Sequence, residues 1–251
     1  MILRPESTPN PYMTRHDGRE QSALRDLHFE RHFTEHAQGS VLACFGRTRV
    51  LCTATITDTV PHFMRGKGQG WLTAEYAMLP SSTEGRKARD RAGKVDGRSV
   101  EIQRLIGRSL RAVIDLKRMP EKTIWVDCDV LQADGGTRTT AISGAWIALH
   151  DAFSWMKDKR QLGDWPLMDQ LGAVSVGVVA GEPLCDLDYV EDSQADTDMN
   201  LVMTGRGTYI EVQGSAEGAP FNRSQLDDML GMGEEGIRQI FEAQKAALEG
   251  A

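Results

Sequence analysis

The stretch from Ile124 to Met156 limits the fold of this chain more than any other part of it. Ile124 to Leu131 alternates apolar with polar side chains, which predicts a strand carrying Val126 and Cys128 on one face and Asp127 and Asp129 on the other. Gly135 and Gly136 interrupt the alternation. From near Thr137 to about Met156, the residues Ala141, Gly144, Ala145, Ala148 and Ala152 give a helix small-residue surfaces for close packing. A strand that passes through a glycine pair into such a helix calls for layers of sheet and helix.

The remaining pattern extends this reading. Ser40 to Thr57 predicts a hairpin turning at Gly46-Arg47-Thr48. Gly66, Gly68 and Gly70 break regularity before Trp71 without the spacing of a dinucleotide fingerprint. Ser99 to Leu116 predicts a helix, with Ile102, Leu105, Ile106, Leu110 and Val113 as its apolar stripe and Ser99 as its cap. Asp158 to Gln170 reads as a connector and Ala173 to Ala180 as a buried strand. Tyr189 and Val190 suggest another strand, and Leu201–Met203 with Tyr209–Gln213 a hairpin around Gly205-Arg206-Gly207. Asn222 to Leu248 reads as a helical region interrupted by Gly231, Gly233 and Gly236. Strands first and helices later, with one crossover, predict an α+β or mixed α/β domain.

With 251 residues the chain can bury a substantial core, as one large domain or two fused small ones. No apolar run approaches the roughly 20 residues that cross a bilayer, which predicts no membrane partner. Met1 to Glu20 is polar and holds Pro5, Pro9 and Pro11, so it reads as a flexible leader without a secretory signal. Cys44, Cys52, Cys128 and Cys185 form no C-x-x-C pair, which speaks against zinc and for reduced thiols in a cytoplasmic protein. The net charge of −7 speaks against a polyanionic partner, but it hides an asymmetry. Arg86 to Arg118 holds eleven Lys or Arg against four acids, and Glu182 to Asn200 holds seven acids and no base. The first tract suits a polyanion and the second a metal ion or proton transfer, and either could be a solvated face.

Gln132-Ala133-Asp134-Gly135-Gly136-Thr137-Arg138-Thr139 is the densest candidate for chemistry. Two glycines admit a ligand close to the backbone, the first helical amides favour an anion, Thr137 adds a hydroxyl, and Arg138 adds a fork that matches phosphate. A tight turn with a threonine cap would read the same way. Gly97-Arg98-Ser99 repeats the combination at the other helix start, and two such starts point to one shared phosphate pocket. In the acidic tract, Asp192 and Asp198 flank a short loop; they could hold Mg²⁺, supply a proton, or be solvated. Arg86-Lys87-Ala88-Arg89-Asp90-Arg91, with Lys94 beyond, reads as an exposed loop that either grips a phosphate backbone or merely solubilises the chain. The six histidines show no metal spacing, and no serine lies in G-x-S-x-G.

Several of these blocks carry a resemblance. Gly68-Gln-Gly-Trp-Leu-Thr-Ala-Glu-Tyr-Ala-Met-Leu-Pro80, Gly97-Arg-Ser-Val-Glu-Ile-Gln-Arg-Leu-Ile-Gly-Arg-Ser-Leu-Arg111 and Asp127-Cys-Asp-Val-Leu-Gln-Ala-Asp-Gly-Gly-Thr-Arg-Thr139 closely resemble the ribonuclease PH family. Cys185-Asp-Leu-Asp-Tyr-Val-Glu-Asp-Ser193 and Ile210-Glu-Val-Gln-Gly-Ser-Ala-Glu-Gly218 do so as well, and the likeness runs from about residue 14 to 249. Three features depart from the family pattern: His16 in place of proline, Ser81 where a basic residue is common, and a basic loop one residue shorter before Arg98.

The resemblance implies a single domain of the ribonuclease PH type with an α+β, ribosomal protein S5 domain 2-like fold, in which mixed sheets pack with helices. It divides the chain into a leader at 1–13, an N-terminal half at 14–157 with the phosphate site, and a C-terminal half at 158–251 with the acidic loop and last helix. It implies a phosphorolytic 3′-to-5′ exoribonuclease that trims precursor tRNA, with rRNA as a further substrate, and that works as a homo-hexamer, a trimer of dimers. Inorganic phosphate would be co-substrate and Mg²⁺ a cofactor. Phosphate contacts carry over to Arg98, Gly136, Thr137 and Arg138, catalytic or metal-linked aspartates to Asp192 and Asp198, and the tRNA grip to Arg86 and Arg89. Two rivals are a non-catalytic RNA-binding ring subunit of the exosome type, expected to lack the arginines or aspartates, and a hydrolytic nuclease of the same fold.

Overall fold

The computed structural model describes residues 15–89 and 96–250. The expected leader at 1–13, and Arg91 and Lys94 of the basic stretch, lie outside the described residues. The first sheet comprises β1 (Leu27–Arg31), β2 (Gly39–Phe45), β3 (Thr48–Thr57), β4 (Trp71–Met78) and β5 (Thr123–Gln132), in the order β1-β2-β3-β5-β4. The second comprises β6 (Leu171–Val179), β7 (Glu182–Cys185), β8 (Thr197–Thr204) and β9 (Tyr209–Ala216), in the order β7-β6-β8-β9. The helices are α1 (Gly97–Ala112), α2 (Thr137–Asp158), α3 (Tyr189–Asp192) and α4 (Arg223–Glu249). This mixed α/β arrangement of two sheets with helices is the expected fold class.

The hairpin turns where its glycine predicts, with Phe45 facing Thr48 and Gly46 at a φ of 56°. β4 runs parallel to β5, and a parallel pair needs a crossover, which α1 supplies. α1 ends at Ala112, short of the expected Leu116, because Asp115 caps a separate 3-10 turn at Leu116–Arg118.

α2 packs against β2 and β3 on one side and β6 on the other, so it lies between the sheets. Its close-packing surface is real: a side chain at Gly144 would begin 2.6 Å from Ala43 Cβ and 2.9 Å from the Cys52 sulfur. Ile142, Ile147, Leu149 and Phe153 are fully buried, each worth about 1.5–3 kcal/mol. α4 covers the far face of β6 and continues through its glycines, contrary to the interruption expected there. Two of those glycines are sites of close approach; at Gly236 a Cβ would lie 3.0 Å from the Cys185 sulfur, and at Gly233 it would collide with Leu201, whereas Gly231 faces open space. Tyr189 and Val190 form the start of α3 and not a strand, because Asp188 and Glu191 close a capping box around that turn. No described helix is long and apolar enough to cross a membrane.

Candidate active site

The strand-to-helix turn between β5 and α2 is left-handed at both Gly135 (φ 72°) and Gly136 (φ 61°). Thr48 fixes it, donating from its hydroxyl to the Gly135 carbonyl at 2.7 Å and accepting from the Asp134 amide at 2.9 Å. A Cβ at Gly135 would lie 2.5 Å from the Leu187 carbonyl oxygen, so the turn packs directly on the loop before α3. The joint is locked by Arg25, whose guanidinium donates to both Asp186 oxygens at 2.9 and 2.7 Å and to the Asp134 carbonyl. Arg25 and Asp186 are both buried, and that pairing holds the arginine charged against the cost of burial.

The cationic side of the site grows from two helix starts. Arg98 is the second residue of α1; its backbone amide donates to the Asp96 cap, and its exposed guanidinium has no hydrogen bond or ion pair among the described residues. Arg138 touches Glu101 at 3.4 Å and Gln213 at 3.3 Å, both through one nitrogen, which leaves most of its fork unengaged. Thr137 is buried, and its oxygen accepts from the Tyr76 hydroxyl at 2.8 Å. Its own proton is therefore free to point into the space in front of α2, beside amides of the first helical turn that have no intrahelical partner.

The acidic side is set by α3 and β8. Arg15 is buried and grips Glu191 through two nitrogens, at 2.7 and 2.5 Å, and His16 reaches Asp188 at 2.6 Å. α3 is thereby fastened at its cap and its third residue, and Asp192 follows on the open side. Asp198 faces Gly177 across the β6–β8 ladder. Asp192 is solvent-exposed as a residue, yet its carboxyl is partly desolvated and shares the space with Asp198. Desolvation and that neighbouring charge hold its pKa above the usual 3.8, against the opposing pull of Arg98 and Arg138.

These elements enclose one cavity of about 440 Å³, lined by Arg98, Gly136, Thr137, Arg138, Asp192 and Asp198 together. Residues 23–153 match the RNase PH model of the 3′ exoribonuclease family, domain 1, and residues 169–236 match domain 2. The chain belongs to the 3′ exoribonuclease family. Among solved structures, rice (Oryza sativa) Rrp46 is similar at 20% identity and a TM-score of 0.75, over 94% of this chain and 100% of that one. A chain of the Archaeoglobus fulgidus exosome with RNA bound to the active site is similar at 21% identity and a TM-score of 0.76, over 92% of each. An archaeal exosome core chain is similar at 22% identity and a TM-score of 0.73, over 91% of this chain and 90% of that one. At these identities the likeness is one of fold.

Within this family member the sequence-predicted residues divide. The phosphate and aspartate candidates meet in the cavity; Arg86 and Arg89 do not line it. Both sit exposed between β4 and α1, without an ion pair among the described residues, while their neighbour Lys87 is tied to Asp96 at 2.6 Å. Asp192 and Asp198 fit a hard divalent cation: two carboxylates side by side, neither held by an ion pair among the described residues, in a space open enough to keep metal-bound water. His16, Asp17 and Asp188 also come close to one another, but Arg19 bonds Asp17 at 2.6 Å and His16 bonds Asp188. The cavity of about 260 Å³ behind α3 offers no free cation among the described residues, since Arg15 is spent on Glu191.

Sequence reasoning missed Tyr76, Ser175, Asn200 and the Arg25–Asp186 joint. Tyr76 sits in the alternation Leu72, Ala74, Tyr76, which marks β4 as a strand. Arg25 and Asp186 lie 161 residues apart and carry no local signal.

Proposed function

We propose that this chain is a phosphorolytic 3′-to-5′ exoribonuclease that trims the 3′ end of precursor tRNA and releases nucleoside diphosphates. The observation that carries the reading is the single cavity in which two guanidiniums, the Thr137 hydroxyl and a helix start face an aspartate pair. Orthophosphate must approach a phosphodiester, and two unit charges at about 4 Å repel by about 4 kcal/mol in a partly buried site. Arg98, Arg138, Thr137 and the α2 amides would offset that repulsion and aim the incoming oxygen. The bond from phosphorus to the 3′ oxygen of the penultimate nucleotide breaks as the bond to orthophosphate forms. The proton that orthophosphate gives up goes to the leaving oxygen, with Asp198 either as its carrier or, together with Asp192, as a ligand of the metal that stabilises that oxygen. Mg²⁺ on Asp192 and Asp198 would supply charge neutralisation at the leaving oxygen. One phosphoanhydride forms as one phosphodiester is lost, so the reaction also runs toward nucleotide addition. Arg86 and Arg89 grip the tRNA backbone outside the cavity, and the chain works as a homo-hexameric ring in the cytoplasm.

Similarity to rice Rrp46 and to archaeal exosome chains favours a second reading, an RNA-binding ring subunit without activity. The retained arginines and aspartates favour the enzyme. Incubation with a 3′-extended tRNA, with and without phosphate, separates the readings. Diphosphates that appear only with phosphate support phosphorolysis. Monophosphates in both conditions indicate hydrolysis, and no product indicates a scaffold.

A further inference from the structure

The cationic groups of the cavity all come from α1 and α2, yet the opposite floor, built by the second sheet, is also polar. Ser175 on β6 and Asn200 on β8 face each other across the ladder and both line the cavity. Ser175 is 6% exposed and Asn200 8%. The Ser175 hydroxyl has no hydrogen-bond partner among the described residues, and neither has the Asn200 carboxamide. Buried polar groups are nearly always paired, because an unpaired one has lost its water and gained nothing. The Ser175 hydroxyl is such a group, and the unpaired Asn200 carboxamide beside it still meets solvent, so the floor of the cavity presents two unengaged groups to a partner that arrives from outside.

The position of the pair indicates its chemistry. The Ser175 oxygen lies 3.6 Å from where a Cβ on Gly136 would stand, so the hydroxyl borders the bare backbone at the start of α2. Asn200 shares a strand face with Asp198, two residues before it along β8. A hydroxyl and a carboxamide both donate, and both are neutral, so they add hydrogen bonds to an anion without drawing away the guanidiniums.

We propose that Ser175 and Asn200 are orthophosphate-binding residues, donating to the anion from the second sheet while Arg98, Thr137 and Arg138 hold it from the helix starts. The proposal rests on the phosphate reading of the cavity. A tetrahedral anion held from both sides ties the helix starts to the second sheet, so phosphate stabilises the folded chain as well as feeding the reaction.

The test measures thermal unfolding of the full chain against orthophosphate concentration, together with the phosphate and tRNA midpoints for diphosphate release. Ser175→Ala is expected to raise the phosphate midpoint in both assays about tenfold. Asn200→Asp keeps the shape but swaps a donor for a negative charge, and is expected to raise it at least about a hundredfold. The tRNA midpoint moves less in each variant. Melting without phosphate reports the fold, and Asn200→Ser replaces Asn200→Asp if the aspartate prevents folding. A wild-type chain indifferent to phosphate overturns the phosphate reading itself. A wild-type chain that responds, with variants that respond at the same concentrations, overturns this assignment alone.

Discussion

On the helix-start wall of the cavity, Arg98 and Arg138 extend from the first turns of α1 and α2 with few bonds to restrain them, whereas on the opposite wall Asp192 and Asp198 stand on α3 and β8, near buried ion pairs. The difference is one of residue chemistry. An arginine reaches its target on a long stem and can stay solvated until the target arrives. A carboxylate has a short stem, so its backbone must be placed correctly in advance. Arg15 on Glu191 and Arg25 on Asp186 do that placing and are not part of the cavity lining. The cationic wall should therefore tolerate substitution without loss of fold, and the supports of the acidic wall should not.

The largest expected effect falls on those supports. Arg25→Ala leaves buried Asp186 with only the residue-25 backbone amide and Arg19 at 3.7 Å to offset its charge, and should cost up to about 3–5 kcal/mol, read as a large drop in the urea midpoint. A variant melting like the parent would show that the joint between the walls is dispensable. Arg138→Ala should keep the fold and bind tRNA within a few-fold of the parent, yet slow phosphate-dependent release by about a hundred- to a thousand-fold. Asp198→Ala should also fold and bind tRNA but lose most turnover; rapid cleavage would move the proton donor or metal ligand elsewhere. Removing Arg86 and Arg89 should weaken tRNA binding and lower its salt slope by about 1 for each RNA phosphate that is no longer neutralised.

The smallest effect is a pH shift. The Asp192 pKa is raised in the folded chain, so the folded state holds a proton more readily than the unfolded one and loses stability as pH rises above about 3.8. Asp192→Asn should melt slightly higher than the parent near pH 7, with the gain fading toward pH 4. Because Asp192 is solvent-exposed, the gain is modest. No gain at neutral pH would mean that neither desolvation nor the Asp198 charge raises its pKa.

Legibility in the sequence differs between the walls in the same way. Both helix starts announce themselves locally, through Gly-Arg beside a predicted helix and through the alternation that leads into Gly135-Gly136. The acidic wall shows in the sequence as an acid-rich tract whose two aspartates flank a short loop and gain a role only through the family resemblance, and apolar pattern misreads its local geometry. Tyr189 and Val190 suggest a strand, while the decisive signal is the Asp188–Glu191 spacing of a capping box. The glycines of α4 suggest breaks because helix propensity is counted along one chain, whereas Gly233 and Gly236 answer to Leu201 and Cys185 on other elements. Arg25 with Asp186, and Ser175 with Asn200, become neighbours only after the sheets form.

The central claim is that this cavity brings orthophosphate to an RNA 3′ end. It is tested most directly with radiolabelled orthophosphate and a 3′-extended tRNA. The account predicts label in the β-phosphate of the released nucleoside diphosphates, lost in Arg138→Ala. Unlabelled monophosphates released at the same rate without orthophosphate would contradict it.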